Sequence, residues 1–299
     1  MTIRVLTHDG PFHTDEVVAC ALLQMAYPRD MLEITRSRNF IDNDPTTFNF
    51  VVDVAGVYDG IQRFDHHQVS APTRPNGAPY ASAGLVWNAF ASLIIQHHVG
   101  CSPEDVQQIF EDIDRTIMIP IDASDNGKTI PYPLSIQQLI SSFNTTWNSP
   151  NENNDGPFNT VMLIVQQWLG RVLEQSYSKI LARTQLVLAL AEAKEQGRSW
   201  IDLGVWIPFR TMLFEIPAEI HYALYPGMNG DHRIECIPIV GSMVSRKPLP
   251  EAWWGKEKEE LSGLAGVPDA IFCHKTGFIC SAKSKDSTQK MLALAILNK

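Results

Sequence analysis

Apolar residues arrive along the chain in two rhythms. Near the start, "IRVLT" (residues 3–7), "LEITRS" and "NFVVDVAG" are short and rich in Val and Ile. Such runs predict parallel strands buried on both faces. Between the first two lies "VVACALLQMAY", helical in length and small-residue content, with Thr14 as N-cap and Asp15 and Glu16 in its first turn. The order is strand, loop, helix. In open α/β sheets functional groups gather beyond the carboxyl ends of the strands, and Asp53 lies at such an end.

After the turn-rich loop "SAPTRPNGAPY" the rhythm becomes helical for a long way. "SAGLVWNAFASLIIQHH" starts on a capping Ser, "SPEDVQQIFEDIDRTIM" has Pro just inside a Ser cap, and residues 158–196 predict one or two long helices. The polar stretch "NTTWNSPNENNDGPF" predicts a loop within this helical region. Helical pattern stops at Gly197, so the expected boundary separates residues 1–197, a catalytic domain with a helical extension, from residues 198–299. Beyond it, "WIDLG", "IHYAL", "RIECIPIV" and "AIFCHKTGFICSA" are β-prone, and "STQKMLALAILNK" predicts a terminal helix. The expected class is α/β, a parallel sheet with flanking helices, followed by a smaller C-terminal α+β domain.

Composition narrows the function classes. At 299 residues, 44% hydrophobic and 19% charged, the chain belongs with ordinary globular proteins, and no apolar run approaches the roughly 18 residues of a membrane span. A net charge of −9 argues against broad attraction to nucleic acid or anionic lipid while leaving room for a local basic cleft. Five cysteines without a C-x-x-C pair indicate neither a disulfide framework nor a thiolate zinc site and point to a reducing compartment. The N-terminus carries no signal or transit pattern, so a cytoplasmic location is expected, with nucleus and mitochondrion open for a eukaryotic source.

Candidate chemistry falls in four clusters: His8, Asp9, His13 and Asp15; Asp53; Asp65, His66 and His67; and Asp122 with Asp125 in "IDASDNG". Imidazole and carboxylate without thiolate suit Mn²⁺, Fe²⁺, Zn²⁺ or Mg²⁺. One ion needs about four ligands, and the surplus points to a two-metal centre. Simpler readings exist for each cluster alone: Asp15 and Glu16 serve the helix dipole, and Asp122 or Asp125 shapes the Asp-Asn-Gly turn. His97 and His98 end a helix, where imidazole favours the terminal carbonyls, and are read as structural.

The ordered motifs "THDGPFHTDE", "VVDVAGVYD", "RFDHHQ", "SAGLVW", "IDASDNG", "LPEAWWG" and "CHKTGF" resemble the DHH phosphoesterase superfamily, and more closely its MYG1 branch, also labelled UPF0160. The resemblance implies a DHH-type catalytic domain and a smaller C-terminal domain that binds substrate. It implies His8, His13, Asp15, Asp53, His66 and His67 as metal ligands or their neighbours, with Asp125 as the late metal aspartate and Asp122 as the alternative. Asp53, Asp65 and His66 are the expected catalytic groups, and Asp53 is the expected bridge between ions. His274, Lys275, Arg246 and Lys283 are the expected substrate contacts. Trp254 stands where the family pattern has Arg, and Cys280 and Ser281 where small residues are usual. The implied activity is hydrolysis of a phosphodiester by two divalent ions, Mn²⁺ or Mg²⁺, most simply a 3′-5′ exonuclease on single-stranded RNA or short oligonucleotides. The rivals are a small-molecule or cyclic-dinucleotide phosphoesterase and a silent metal-binding regulator. Peptide hydrolysis finds no HExxH helix.

Overall fold

In the computed structural model the described residues are 2–129, 135–149 and 153–298. They form two compact units, Met1–Ser178 and Lys179–Lys299. In the first, β1 (Thr2–Thr7), α1 (Thr14–Ala26), β2 (Met31–Arg36), β3 (Phe50–Val52) and β4 (Arg63–Phe64) follow one another. The four strands make a parallel sheet in the order β2-β1-β3-β4, with Val5 opposite Phe50 and Val51 opposite Arg63. The three expected strands are therefore present, but β2, at the sheet's edge, has no buried residue and is not the two-sided buried strand its Val/Ile-type run predicted. β4 joins them on two residues, too few for any sequence period to show.

Val17 to Leu23 are wholly buried on every face of α1, which suits a small-residue helix wedged between neighbours. α1 packs closely on α2 (Ser82–His98). α3 (Pro103–Ile113) begins as expected, with the Ser102 hydroxyl accepting from the Asp105 amide at 3.2 Å and Pro103 at the first helical position. It passes through a π turn, Asp114–Met118, into α4 (Ile119–Asp125). Pro120 lacks an N–H and its ring opposes the carbonyl four residues back, so the wider turn before it relieves the conflict. α5 (Ile136–Ser141) and the 41-residue α6 (Asp155–Glu195) complete the helical region. Of the polar loop expected before α6, residues 150–152 lie outside the described residues.

The division between units falls inside α6, earlier than the expected break at Gly197. The reason is packing: Ala182, Leu186, Ala189 and Ala193 of α6 share one core with Ile201, Ala223 and Tyr225. The second unit holds β5 (Trp200–Asp202), β6 (Tyr222–Pro226), β7 (His232–Cys236), α7 (Lys258–Ala265), β8 (Ala270–Cys273), β9 (Ile279–Ala282) and α8 (Lys285–Leu297). Its sheet runs β5-β6-β7-β9-β8, antiparallel except for β5 beside β6. Alternation along β6 sends Tyr222 and Leu224 to one core, Ala223 and Tyr225 to the other. This is the α+β arrangement expected of the C-terminal part; α7 had no sequence forecast.

That two-sided burial gives a direct test. Leu186→Ala, at a side chain with no exposure, is expected to lower the stability of the fold by about 2–5 kcal/mol. Leu188→Ala, two residues on and 61% exposed, should stay within about 0.5 kcal/mol of the parent. Paired denaturant titrations check both, and equal losses would contradict the packing described.

Candidate metal centre

The loop after β1 is fixed before it offers any chemistry. Asn144 accepts from the Phe12 amide and donates back to the Phe12 carbonyl, both at 2.8 Å. The Arg36 guanidinium lies over the rings of Phe12 and Phe158 and donates to the Gly10 carbonyl at 2.7 Å. Gly10, at φ +80°, supplies the left-handed turn that side chains rarely adopt. His8 and His13 are thereby placed at the carboxyl edge of the sheet. His13, rather than the expected Thr14, caps α1, and its amide donates to Glu16 Oε1 at 2.7 Å.

Asp53 follows β3 with φ +57°, a conformation uncommon outside glycine but tolerated best by Asn and Asp. One of its oxygens is 3.4 Å from His8 Nε2; the other is 3.3 Å from His66 Nε2 and accepts from the Ser82 hydroxyl at 3.1 Å. His66 Nε2 also lies 3.3 Å from Asp125 and 3.8 Å from Asp15. Asp65 turns away from this centre. It accepts from the Gly56 amide at 2.6 Å with one oxygen, and with the other from the His67 amide, 2.7 Å from His67 Nδ1. Asp65 therefore builds the turn and orients the 63% exposed His67 ring.

Three overlapping groups of potential ligand atoms result: His8, His13, Glu16 and Asp53; Asp53, His66 and His67; and His13, Asp15 and Asp125. Asp53 and His13 each belong to two of them. Asp9 stays outside, exposed and paired with Arg38 at 3.2 Å. Asp122 also stays outside, and its expected role as a ligand is not what the geometry provides. One oxygen takes the Ala81 and Gly84 amides at 3.0 and 3.2 Å, and the other takes Arg74 Nε and Nη2 at 2.9 and 2.7 Å. Asp125, at the end of α4, is the aspartate that reaches the cluster. Glu16 is the member that the dipole reading missed. The signal was its place three residues after His13, which on a helix returns to the same side.

Electrostatics test whether a cation fits. Burial pushes the Asp15 carboxyl up, and Asp53, Glu16 and Asp125 push it further. Burial also raises Asp125. Asp53 is held well below the usual carboxylate range, burial being outweighed by His66 and His8. His8 is opposed by burial, yet Asp53 and Glu16 lift it to about 10, and His66 is raised mainly by Asp53 against burial. His8 Nε2 approaches Glu16 to 2.9 Å without hydrogen-bond geometry. Asp15 Oδ1, Glu16 Oε2 and His66 Nε2 are likewise buried without a hydrogen-bond partner. Orphaned imidazole and carboxylate atoms converging in this way fit a divalent cation of the oxygen- and nitrogen-binding class. A cavity of about 420 Å³, lined by His13, Asp53, His66, His67, Asp125 and Arg38 among others, opens onto them.

In the second unit, His274 and Lys275 line a cavity of about 640 Å³ with Arg210, Trp254, Phe278 and Met243. Trp254 donates Nε1 to the Leu249 carbonyl at 2.9 Å and covers Gly277, where a Cβ would collide with that nitrogen. Arg246 does not reach this cavity: its guanidinium is spent on the carbonyls of Ile216, Pro217 and Ile220, so it anchors a loop. Lys283 is exposed on the turn before α8 and does not line it either. Cys280 and Ser281 are buried within β9. His97 and His98 close α2, with the His98 imidazole packed against Gly170.

The profile of the uncharacterised protein family UPF0160 matches residues 4–296. The chain belongs to this family. Among UPF0160 relatives, "MYG1 exonuclease" of Homo sapiens is 30% identical, over 96% of this chain and 84% of its own. "MYG1 protein C694.04c" of Schizosaccharomyces pombe is 29% identical over 98% of this chain and 97% of its own. Among solved structures, RecJ in complex with Mn²⁺ from Thermus thermophilus matches at 11% identity. That match takes in all of this chain and 52% of the other at a TM-score of 0.29, an overlap too small to bear on the fold. The motif resemblance to the MYG1 branch is thus borne out at the level of the UPF0160 family.

Protonation of this UPF0160 centre carries a signed pH dependence. His8, whose imidazolium is held up at about 10, and His66, raised in the same direction, both resist losing their protons in the metal-free protein. A cation must displace those protons. Mn²⁺ affinity should therefore climb as pH rises from about 7 toward 9, and the binding enthalpy should vary with the buffer's ionisation heat. Titration calorimetry in two buffers reads both, and an affinity flat across that range would contradict the protonation described.

Proposed function

We propose that this UPF0160 chain is a metal-dependent phosphodiester hydrolase that removes nucleotides from the 3′ end of single-stranded RNA or short oligonucleotides. The observation that carries the reading is the clustering of His8, His13, Asp15, Glu16, Asp53, His66 and Asp125 in overlapping ligand groups, with His8, His13, Asp53, His66 and Asp125 lining one cavity. The exonuclease name of the human relative points the same way.

Two divalent ions bound in this donor set would supply an activated water and neutralise charge on a phosphoryl group. Asp53, shared by two ligand groups, is our assignment for the carboxylate between them. Ser82 and the left-handed backbone at Asp53 hold that carboxylate in place. Arg38, 57% exposed at the cavity, offers a cation to a phosphate oxygen. His67 has Nδ1 committed to Asp65, which leaves Nε2 to hold a proton or meet a phosphate oxygen. No side chain has to act as nucleophile. The cavity of the second unit pairs Arg210, Lys275 and His274 with the Trp254 and Phe278 rings, chemistry suited to a phosphate with its base.

The test is a time course with 5′-labelled single-stranded RNA and DNA in Mn²⁺, Mg²⁺ or EDTA, beside Asp53→Asn. Asn keeps the shape and tolerates positive φ, so the variant should fold while losing at least about 100-fold in rate, a loss of the size seen when a charged transition-state contact is removed. A metal-dependent ladder shortening from the 3′ end, absent in the variant, is the expected result. Metal-loaded protein that cleaves only mononucleotides or cyclic dinucleotides would overturn the polymer assignment. Metal-loaded protein that cleaves nothing would overturn catalysis.

A further inference from the structure

Arg74 lies in the turn-rich loop ahead of α2, yet it is only 6% exposed. Its Nε and Nη2 grip Asp122 at 2.9 and 2.7 Å, its Nη1 reaches Asp114 at 2.7 Å, and its guanidinium covers the Tyr80 ring at 4.4 Å. None of these groups faces the metal cavity. Asp122 nevertheless stands one step from the cluster along two routes.

By the first route, Asp122 Oδ1 accepts from the amides of Ala81 and Gly84, and so does for α2 what a capping side chain ordinarily does. Ser82, between them, is the first helical residue behind the N-cap Ala81, and its side chain does not cap the helix. Its hydroxyl goes to Asp53 at 3.1 Å and its amide to Asp15 at 3.4 Å. Gly84 permits the approach, since a Cβ there would collide with the Asp122 carboxylate. By the second route, Asp122 is one helical turn before Asp125 on α4, and Asp125 reaches His66 at 3.3 Å. Asn126 reinforces this link, donating to the carbonyls of Tyr80 and Asp122 at 3.1 and 2.9 Å.

We propose that Arg74 and Asp122 form a positioning clamp that sets the separation between Asp125 on one side of the metal centre and Asp53 with Asp15 on the other. The proposal rests on the metal-centre reading. One carboxylate joins the helix that carries Asp125 to the helix end that orients Asp53 and Asp15, and the planar fork of Arg74 fixes how that carboxylate is turned. A lysine keeps the charge but lacks the fork.

The experiment measures Mn²⁺ affinity and stoichiometry by electron paramagnetic resonance, with thermal unfolding of the metal-free proteins alongside. It compares wild type, Arg74→Lys, Asp122→Asn and Ile109→Ala, the last a core change in the same unit whose side chain is fully buried. Partners outside the ligand shell typically govern affinity by about 10- to 100-fold. Arg74→Lys is expected to weaken Mn²⁺ binding by that amount and to lower kcat with KM little changed. Ile109→Ala should unfold earlier yet bind Mn²⁺ within about twofold of wild type, the size of effect expected for a site sharing no partner with the ligands. Asp122→Asn covers the case of an Arg74→Lys protein that does not fold: its amide oxygen still accepts from Ala81 and Gly84, while the grip on Arg74 is lost, and it should show the same weakening. Folded Arg74→Lys or Asp122→Asn with wild-type Mn²⁺ affinity, or with a loss no larger than that of Ile109→Ala, overturns the clamp and leaves the metal centre standing. A wild type that binds no divalent ion overturns both.

Discussion

Buried carboxyl groups must either be met by positive charge or keep their protons, and the first unit brings Asp15, Glu16, Asp53 and Asp125 to one edge of its sheet. Two unit charges about 4 Å apart repel by roughly 4 kcal/mol at the effective dielectric near a protein surface. His8 and His66 lie against Asp53 and offset part of that, so the carboxylates raise both imidazoles while the imidazoles lower Asp53. The rest of the unit is arranged to keep these groups from relaxing apart. α1 is built of small apolar residues and buried on all sides, so Asp15 and Glu16 at its start cannot swing to solvent. Asn144 and Arg36 pin the preceding loop. Asp53 is carried in a backbone conformation few residues accept, the kind of local strain that surrounding contacts must sustain.

Much of this was legible because the chemistry lies in contiguous motifs at element ends. β1, β3 and α1 announce themselves by Val/Ile content and by length, and they deliver His8, His13, Asp15 and Asp53. The DHH triplet was visible as residue types, but the roles within it were not. Asp65 faces the Gly56 amide and His67, His66 lies between Asp53 and Asp125, and His67 reaches Asp53 at 3.5 Å through the ring nitrogen that Asp65 also holds. Successive side chains on an extended segment point to opposite sides, and a two-residue strand gives no pattern from which to tell which side is inward. For Arg246 and Lys283 the sequence offers charge as the sole signal. Whether a cation meets a ligand or a set of carbonyls depends on contacts far along the chain, here the loop at Ile216–Ile220.

Helix ends show the same limit. Ser82 has the residue type of an N-cap and local rules assign it that task, but the helix places it at its first turn with Ala81 as the N-cap. The structure gives the task to Asp122, distant in sequence, and frees the hydroxyl for Asp53. Arg74, which holds Asp122, sits in a stretch whose Pro, Gly and Asn content reads only as a turn.

The ambiguity between Asp122 and Asp125 has its own physical origin. Along α3 the buried positions are Val106, Ile109 and Ile113. An uninterrupted α-helix of 3.6 residues per turn would carry that face through positions near 116–117, 120 and 124. The buried residues beyond the π turn are instead Ile117, Met118, Ile121 and Asp122. The wider turn at Asp114–Met118 has shifted the face by one residue. Asp122 is thereby carried into the interior against α2 and Arg74, and Asp125, one turn later, comes to the edge of the sheet. A period read through the proline at 120 without that extra residue leaves both aspartates out of phase, so neither could be preferred on pattern. The same turn that hides the assignment in the sequence makes two aspartates of one short helix serve two different ends.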